Sequence, residues 1–138
     1  MNDAFQLFTD GAARGNPGPA SIGAVLKSPS GENVAEISEY LGETTNNQAE
    51  YRALLAGLRK ALDLAVKKID VFLDSELVVK QLHGQYKVKH PDLIPLFEEV
   101  KSLLRKFSVI QVSHVRREKN KEADKLANLA LDSRSEKK

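Results

Sequence analysis

Cysteine and tryptophan are absent from the 138-residue chain, and its one methionine is the first residue. Without thiols there is no disulfide, no thiolate nucleophile and no cysteine-based structural zinc site. Long apolar runs are missing too: no stretch approaches the ~20 apolar residues of a membrane-spanning helix. Nor is there an N-terminal basic region followed by an apolar run and a cleavage site. A soluble, cytoplasmic protein is expected. An excess of charge of one sign is also lacking, because 21 Lys and Arg against 19 Asp and Glu leave only +2. That total says little about partners, so the placement of charge must carry the argument. A chain of this length buries roughly two thirds of its unfolded surface in one core. One domain over residues 1–132 is expected, with a frayed tail at 133–138 that has no apolar anchor.

The order of elements follows from periodicity. AFQLFTD, residues 4–10, reads as a strand ending at Gly11, and the loop GAARGNPGPA leads to a second strand over 21–27. SPSG at 28–31 turns the chain into a third strand over about 33–41, an antiparallel meander. The spacing then becomes helical: Ala49, Ala53, Leu54, Gly57, Leu58, Ala61 and Leu62 predict a helix to about residue 65, capped by Asn46 or Asn47. Short apolar strands are predicted at 69–73 and 107–112, with helices over about 75–83, 92–105 and 121–131. This is an α/β chain with a five-stranded mixed sheet, in which three antiparallel strands precede two parallel to the first, and helices cover both faces.

Four acids fall at the ends of these elements. Asp10 and Asp74 each follow a strand, and those strands should be parallel, so both side chains reach the carboxyl rim where open sheets bind ligands. Glu50 shares a helix face with Leu54, Leu58 and Ala61, where an unpartnered carboxylate is costly. Asp124 borders the stripe of Ala123, Leu126, Ala127 and Ala130. Gathered at one rim, four carboxylates repel and raise one another's proton affinity unless cations intervene. Two magnesium ions about 4 Å apart would relieve that repulsion and equip the rim for phosphodiester hydrolysis; oxygen ligands favour magnesium or manganese over zinc. Singly, each acid also reads as a cap, a turn residue or a solvated helix position.

Four ordered segments, TDGAARGNPGPA (9–20), TTNNQAEYRALLAGL (44–58), VFLDSELVVKQL (71–82) and HVRREKNKEADKLAN (114–128), resemble the type 1 enzymes of the ribonuclease H family, across nearly all of residues 4–131. The resemblance implies the ribonuclease H-like fold, and binding of two Mg2+ ions by Asp10, Glu50, Asp74 and Asp124, with Asp10 bridging and Mn2+ a substitute. It implies hydrolysis of RNA in an RNA/DNA hybrid to 5'-phosphate and 3'-hydroxyl ends. His114 matches a loop histidine that assists proton transfer or product release, a role suited to an imidazole.

Substrate contacts are expected from Gly11, Asn16, Asn46, Asn47, Gln48 and Ser75. A 2'-hydroxyl both donates and accepts, so amides can tell RNA from DNA without reading sequence. The glycines also read as a tight turn, and an asparagine or Ser75 as a helix cap. Lys87 and Lys89 in the middle loop, and Arg116, Arg117 and Lys119 before the last helix, would hold the phosphate backbone. Tyr86 reads best as a half-buried core residue. GQYKVKHP at 84–91 replaces the extra helix and basic protrusion of some type 1 members, which predicts a compact form with weaker grip. No additional N-terminal hybrid-binding domain is evident, and a monomer without an obligatory protein partner is expected. Two other functions fit less well: a binding module that has lost hydrolysis, which should have lost a carboxylate, and a metal-dependent nuclease for another substrate.

Overall fold

A computed structural model describes residues 3–136. Five strands, β1 (Phe5–Ala13), β2 (Gly18–Lys27), β3 (Asn33–Thr44), β4 (Lys68–Leu73) and β5 (Val109–His114), form one sheet in the order β3-β2-β1-β4-β5. β2 runs antiparallel to β1 and β3, while β4 is parallel to both β1 and β5, the mixed sheet that the element order implies. The helices are α1 (Asn46–Asp63), α2 (Glu76–Leu82), α3 (Ile94–Leu104) and α4 (Lys121–Glu136), and a short 3-10 turn covers Arg117–Lys119.

Alternation along β1 assigns the two faces. Leu7 and Gly11 lie against α1: a Cβ on Gly11 would sit 2.2 Å from the Ala49 carbonyl carbon, and one on Gly57 would sit 2.8 Å from the Leu7 side chain. Asp10 pairs with Gly23, where a Cβ would sit 2.1 Å from the Ala123 carbonyl oxygen of α4. Successive residues on a strand point to opposite faces, so α1 and α4 cover opposite sides of the sheet. The main core lies on the α1 side, where Leu54 and Leu58 of α1 meet Ile69, Val71 and Leu73 of β4, all with no exposed surface. Burying each such side chain contributes about 1.5–3 kcal/mol. On the α4 side, the Ser21 and Ser38 hydroxyls donate to the carbonyls of Ala127 and Leu126, fastening α4 across β2 and β3.

Several boundaries differ from the sequence expectation. β1 does not stop at Gly11 but runs on to Ala13, because Gly11, Ala12 and Ala13 keep pairing with Ile22, Ser21 and Ala20 of β2. Neither Asn46 nor Asn47 caps α1; the cap is Thr45, whose hydroxyl accepts from the Gln48 N–H at 3.2 Å. α3 begins at Ile94 rather than Asp92, with Pro95 in its first turn, where a missing N–H is tolerated. β5 spans 109–114 rather than 107–112, so His114 ends a strand instead of sitting in a loop. α4 continues past Leu131 to Glu136. The expected tail therefore overlaps the helix at 133–136, and residues 137–138 lie outside those described. Among the described residues, no helix is long and apolar enough to cross a membrane. The outer strand β3 is twelve residues long and exposes Glu36, Glu39 and Glu43.

A candidate metal centre at the carboxyl rim

The parallel register of β1 and β4 ends at Thr9 opposite Leu73, so Asp10 and Asp74 are the next residues on neighbouring strands. Glu50 arrives from the other direction. The missing side chain of Gly11 lets the first turn of α1 press on β1, and the Gly11 N–H donates to the Glu50 carboxylate. Oxygens of Asp10, Glu50 and Asp74 lie within 4.8 Å of one another. Asp10 and Glu50 are buried, and Asp74 is half-buried at the rim. Asp124 of α4 is not in that mutual cluster but comes within hydrogen-bonding range of Asp10. All four acids line one cleft of about 520 Å³, together with Gly11, Arg14, Asn46, Ser75, Arg117 and Asn128.

Burial is the main cause that raises the Asp10 pKa from 3.8 to about 8, helped by the Asp74 charge and by the hydrogen bond and charge of Asp124, while Arg117 opposes the rise. Burial likewise raises Glu50 well above the ordinary glutamate value, with the charges of Asp10 and Asp74 adding to it. One Glu50 oxygen, Oε2, is buried with no hydrogen-bond partner among the described residues. Buried acceptors that lack donors are uncommon because each costs about 1–3 kcal/mol. Here the unpartnered oxygen sits among other acids that would repel one another when ionised, and the donor set of the cluster is oxygen only. The acidic cluster therefore fits a hard divalent cation of the magnesium or manganese kind.

The remaining expected site residues divide into those at the cleft and those apart from it. Gly11, Asn46 and Ser75 line it, as does Arg117. Ser75 also caps α2, accepting from the Val78 N–H at 3.3 Å. The close approach permitted by Gly11 is to α1. Asn16 holds the β1–β2 turn to α1, its Oδ1 accepting from the Asn46 N–H at 3.1 Å. The Gln48 Oε1 accepts from the Thr44 hydroxyl at 2.8 Å, and Asn47 is half-buried beside it. His114 lines the neighbouring groove with Glu76, Lys80 and His83 rather than the acidic cleft. Lys87 lines a third groove with Tyr86, Ile94 and Phe97, and Lys89, Arg116 and Lys119 are exposed. Tyr86 is not a core residue: it is 50% exposed, with the Lys80 ammonium 5.1 Å from its ring centre.

Two participants escaped the sequence reading. Asn120 is 1% exposed and donates to the Thr9 carbonyl at 2.9 Å and to Asp74 at 3.4 Å, tying the ends of β1 and β4 to the start of α4. Its position just before a helix is that of an ordinary cap, which hides this role. Asn128 donates to both the carbonyl and the carboxylate of Asp124. Its place four residues after an acid on a helix was the available signal.

Comparison with known proteins gives a consistent picture. The family described as Reverse transcriptase-like matches residues 8–130. The bifunctional protein Rv2228c of Mycobacterium tuberculosis is 45% identical over 92% of this chain, which spans only 35% of that protein. The crystal structure of RNase H1 from Halobacterium salinarum is 45% identical, with a TM-score of 0.91 over 94% of this chain and 98% of that one. LC11-RNase H1, solved in complex with an RNA/DNA hybrid, is 41% identical, with a TM-score of 0.88 over 94% of this chain and 97% of its own.

Proposed function

The chain belongs to the ribonuclease H family, in its compact type 1 form, and on that premise we propose that it cuts the RNA strand of RNA/DNA hybrids endonucleolytically, leaving 5'-phosphate and 3'-hydroxyl ends. The observation that carries the reading is the carboxylate cluster at the rim, with its unpartnered Glu50 oxygen. In this reading Asp10, Glu50, Asp74 and Asp124 hold two Mg2+ ions, with Mn2+ a workable substitute. Bound there, such ions supply an activated water and stabilise the leaving oxygen. Asp10 belongs to the cluster and also comes within hydrogen-bonding range of Asp124, so it would contribute to holding the cations from both sides.

The chain's own residues orient the duplex. Because Thr45 is the cap, the Asn46 and Asn47 side chains are released from capping. The oxygen ends of Asn16 and Gln48 are engaged internally, so their amide NH2 groups remain to donate to acceptors of the hybrid, including 2'-oxygens. Arg117 at the cleft, with the exposed Arg116 and Lys119 on either side of it in sequence, holds backbone phosphates, and Lys87 and Lys89 extend the basic surface. Ser75 adds a hydroxyl at the cleft wall. His114, one strand away from Asp74, takes up or delivers a proton at its imidazole as product leaves. One catalytic domain, extended beyond the expected residue 132 by the end of α4, acts as a cytoplasmic monomer.

The test compares labelled hybrid, duplex RNA and duplex DNA in Mg2+, Mn2+ or EDTA, alongside Asp10→Asn. Metal-dependent cutting confined to the RNA strand of the hybrid, and lost in the variant, is expected. Hybrid binding without cleavage in either metal would overturn the activity; cleavage of another duplex would overturn the substrate.

A further inference from the structure

Arg14 and Asn128, which line the cleft, and the exposed Asp132 beside them form a polar chain to which the proposed reaction gives no part. The Arg14 Nη2 lies 2.7 Å from an Asp132 oxygen and 3.5 Å from the Asn128 Oδ1. On its other side, the Asn128 Nδ2 donates to the Asp124 carbonyl at 3.0 Å and to the Asp124 Oδ1 at 3.3 Å. We infer that Asn128 is a positioning residue that holds the Asp124 carboxylate in its cation-binding orientation, and that Arg14 sets which end of the Asn128 amide faces it. This inference rests on the reading of Asp124 as a cation ligand.

Asp124 needs such a device more than its companions do. Asp10 and Glu50 are fixed by burial, and Asp74 receives the Asn120 amide. Asp124 is a half-buried helix residue whose other close neighbour at the cleft is Asp10, a second acid that repels it when both are ionised. A donor placed one turn later pins one carboxylate oxygen and leaves the other for a cation.

An amide has two ends, and only one is useful. Turned over, Asn128 would present its oxygen to the Asp124 carboxylate and repel it. A guanidinium carries donors alone, so Arg14 favours the oxygen end on its side and the NH2 on the side of Asp124. The root of Arg14 is itself held, since its N–H donates to the Pro19 carbonyl at 2.8 Å and a Cβ on Gly18 would sit 2.3 Å from its carbonyl oxygen. The Arg14 and Asp132 side chains are 46% and 60% exposed. An ion pair so exposed contributes little to stability, so orientation is the effect that remains. The same arginine joins the Asn16 turn to the helix that carries Asp124.

The test uses the full chain and reads metal directly. Mn2+ binding is titrated calorimetrically without nucleic acid for wild type, Asn128→Leu and Arg14→Met, each also in an Asp124→Ala background, and kcat and KM on hybrid are then taken across a Mg2+ series. Asn128→Leu keeps the branching and heavy-atom count of the side chain and favours the helix while removing the donor. It should raise the half-saturating metal concentration about tenfold, the lower end for groups that orient metal ligands, and Arg14→Met about threefold. KM for hybrid should hold, and neither substitution should matter once Asp124 is alanine. Unchanged Mn2+ titrations, effects that persist in the Asp124→Ala background, or a change in KM alone would overturn the inference. Should Asn128→Leu fail to fold, Arg14→Met decides by the same criteria. If wild type shows the expected metal linkage yet cuts no hybrid, the proposed activity fails and the positioning role stands.

Discussion

Asp10→Asn should make the metal-free protein more stable, and by an amount that depends on pH. In the folded chain the Asp10 carboxyl has a pKa raised from 3.8 to about 8, chiefly by burial and then by Asp74 and Asp124. A carboxyl whose folded pKa exceeds its unfolded value binds its proton more tightly when folded. Its contribution to stability is therefore complete below the unfolded pKa and is lost as pH rises through the folded one. At about 1.4 kcal/mol for each pH unit separating the two values, the ceiling on that loss is about 6 kcal/mol. Water entry and relaxation around three neighbouring acids reduce it, and roughly 1–3 kcal/mol is the expected gain from asparagine above pH 8. For a domain of this size that corresponds to a Tm higher by roughly 3–10 °C. The assay is urea and thermal unfolding in EDTA at pH 4, 6, 7 and 8.5. Near pH 4 the two proteins should coincide, and the gap should open as pH rises. Saturating Mg2+ should then reverse the order, because ligand binding to the folded state raises the stability of wild type more than that of a variant with one acid fewer. An Asp10→Asn protein no more stable than wild type at pH 8.5 in EDTA would refute the stored repulsion. So would an equal gain at pH 4, which would point to packing rather than charge.

Gly11→Ala would drive a methyl group into the Ala49 and Glu50 backbone, where the built Cβ lies 2.2 Å from the nearest atom. The main chain there cannot step aside, so a stability loss of about 3 kcal/mol and weaker Mn2+ binding are expected, read by unfolding and calorimetric titration. Tyr51→Phe removes the hydroxyl that donates to the Gln81 Oε1 between α1 and α2 and leaves a buried acceptor unpaired. It should cost about 1–3 kcal/mol in urea unfolding while the metal titration stays as in wild type.

Much of this molecule is legible from the spacing of its apolar residues. The alternation in AFQLF and the stripe of Ala53, Leu54, Leu58 and Ala61 are consequences of two backbone periods, and they fix the order of elements and hence the rim where Asp10 and Asp74 meet. What escaped the reading is what depends on neighbours. Gly11 reads as a stop, yet it continues the strand because β2 supplies pairing and α1 fills the space of the absent side chain. Thr45 rather than Asn46 caps α1, a choice between adjacent polar residues that composition does not make. Asn120 has no periodic signature, and its partners Thr9 and Asp74 lie far along the chain; Asn128 is spaced one turn after Asp124, but its other partner, Arg14, comes from the turn that follows β1. Tyr86 looks like core by residue type, but the short loop leaves it against Lys80 at the surface.

A twelve-residue outer strand with one row of unpaired backbone groups is a template on which a second chain could build. On β3 that template carries Glu36, Glu39 and Glu43. Two copies meeting edge to edge would bring acidic rows together within a Debye length of about 8 Å at physiological salt, and the encounter would dissolve before backbone pairing could begin. The same carboxylates disfavour the approach of a polyanion to this edge. Carboxylates along an outer strand therefore disfavour edge-to-edge pairing of two copies, a guard placed on the strand rather than in the core.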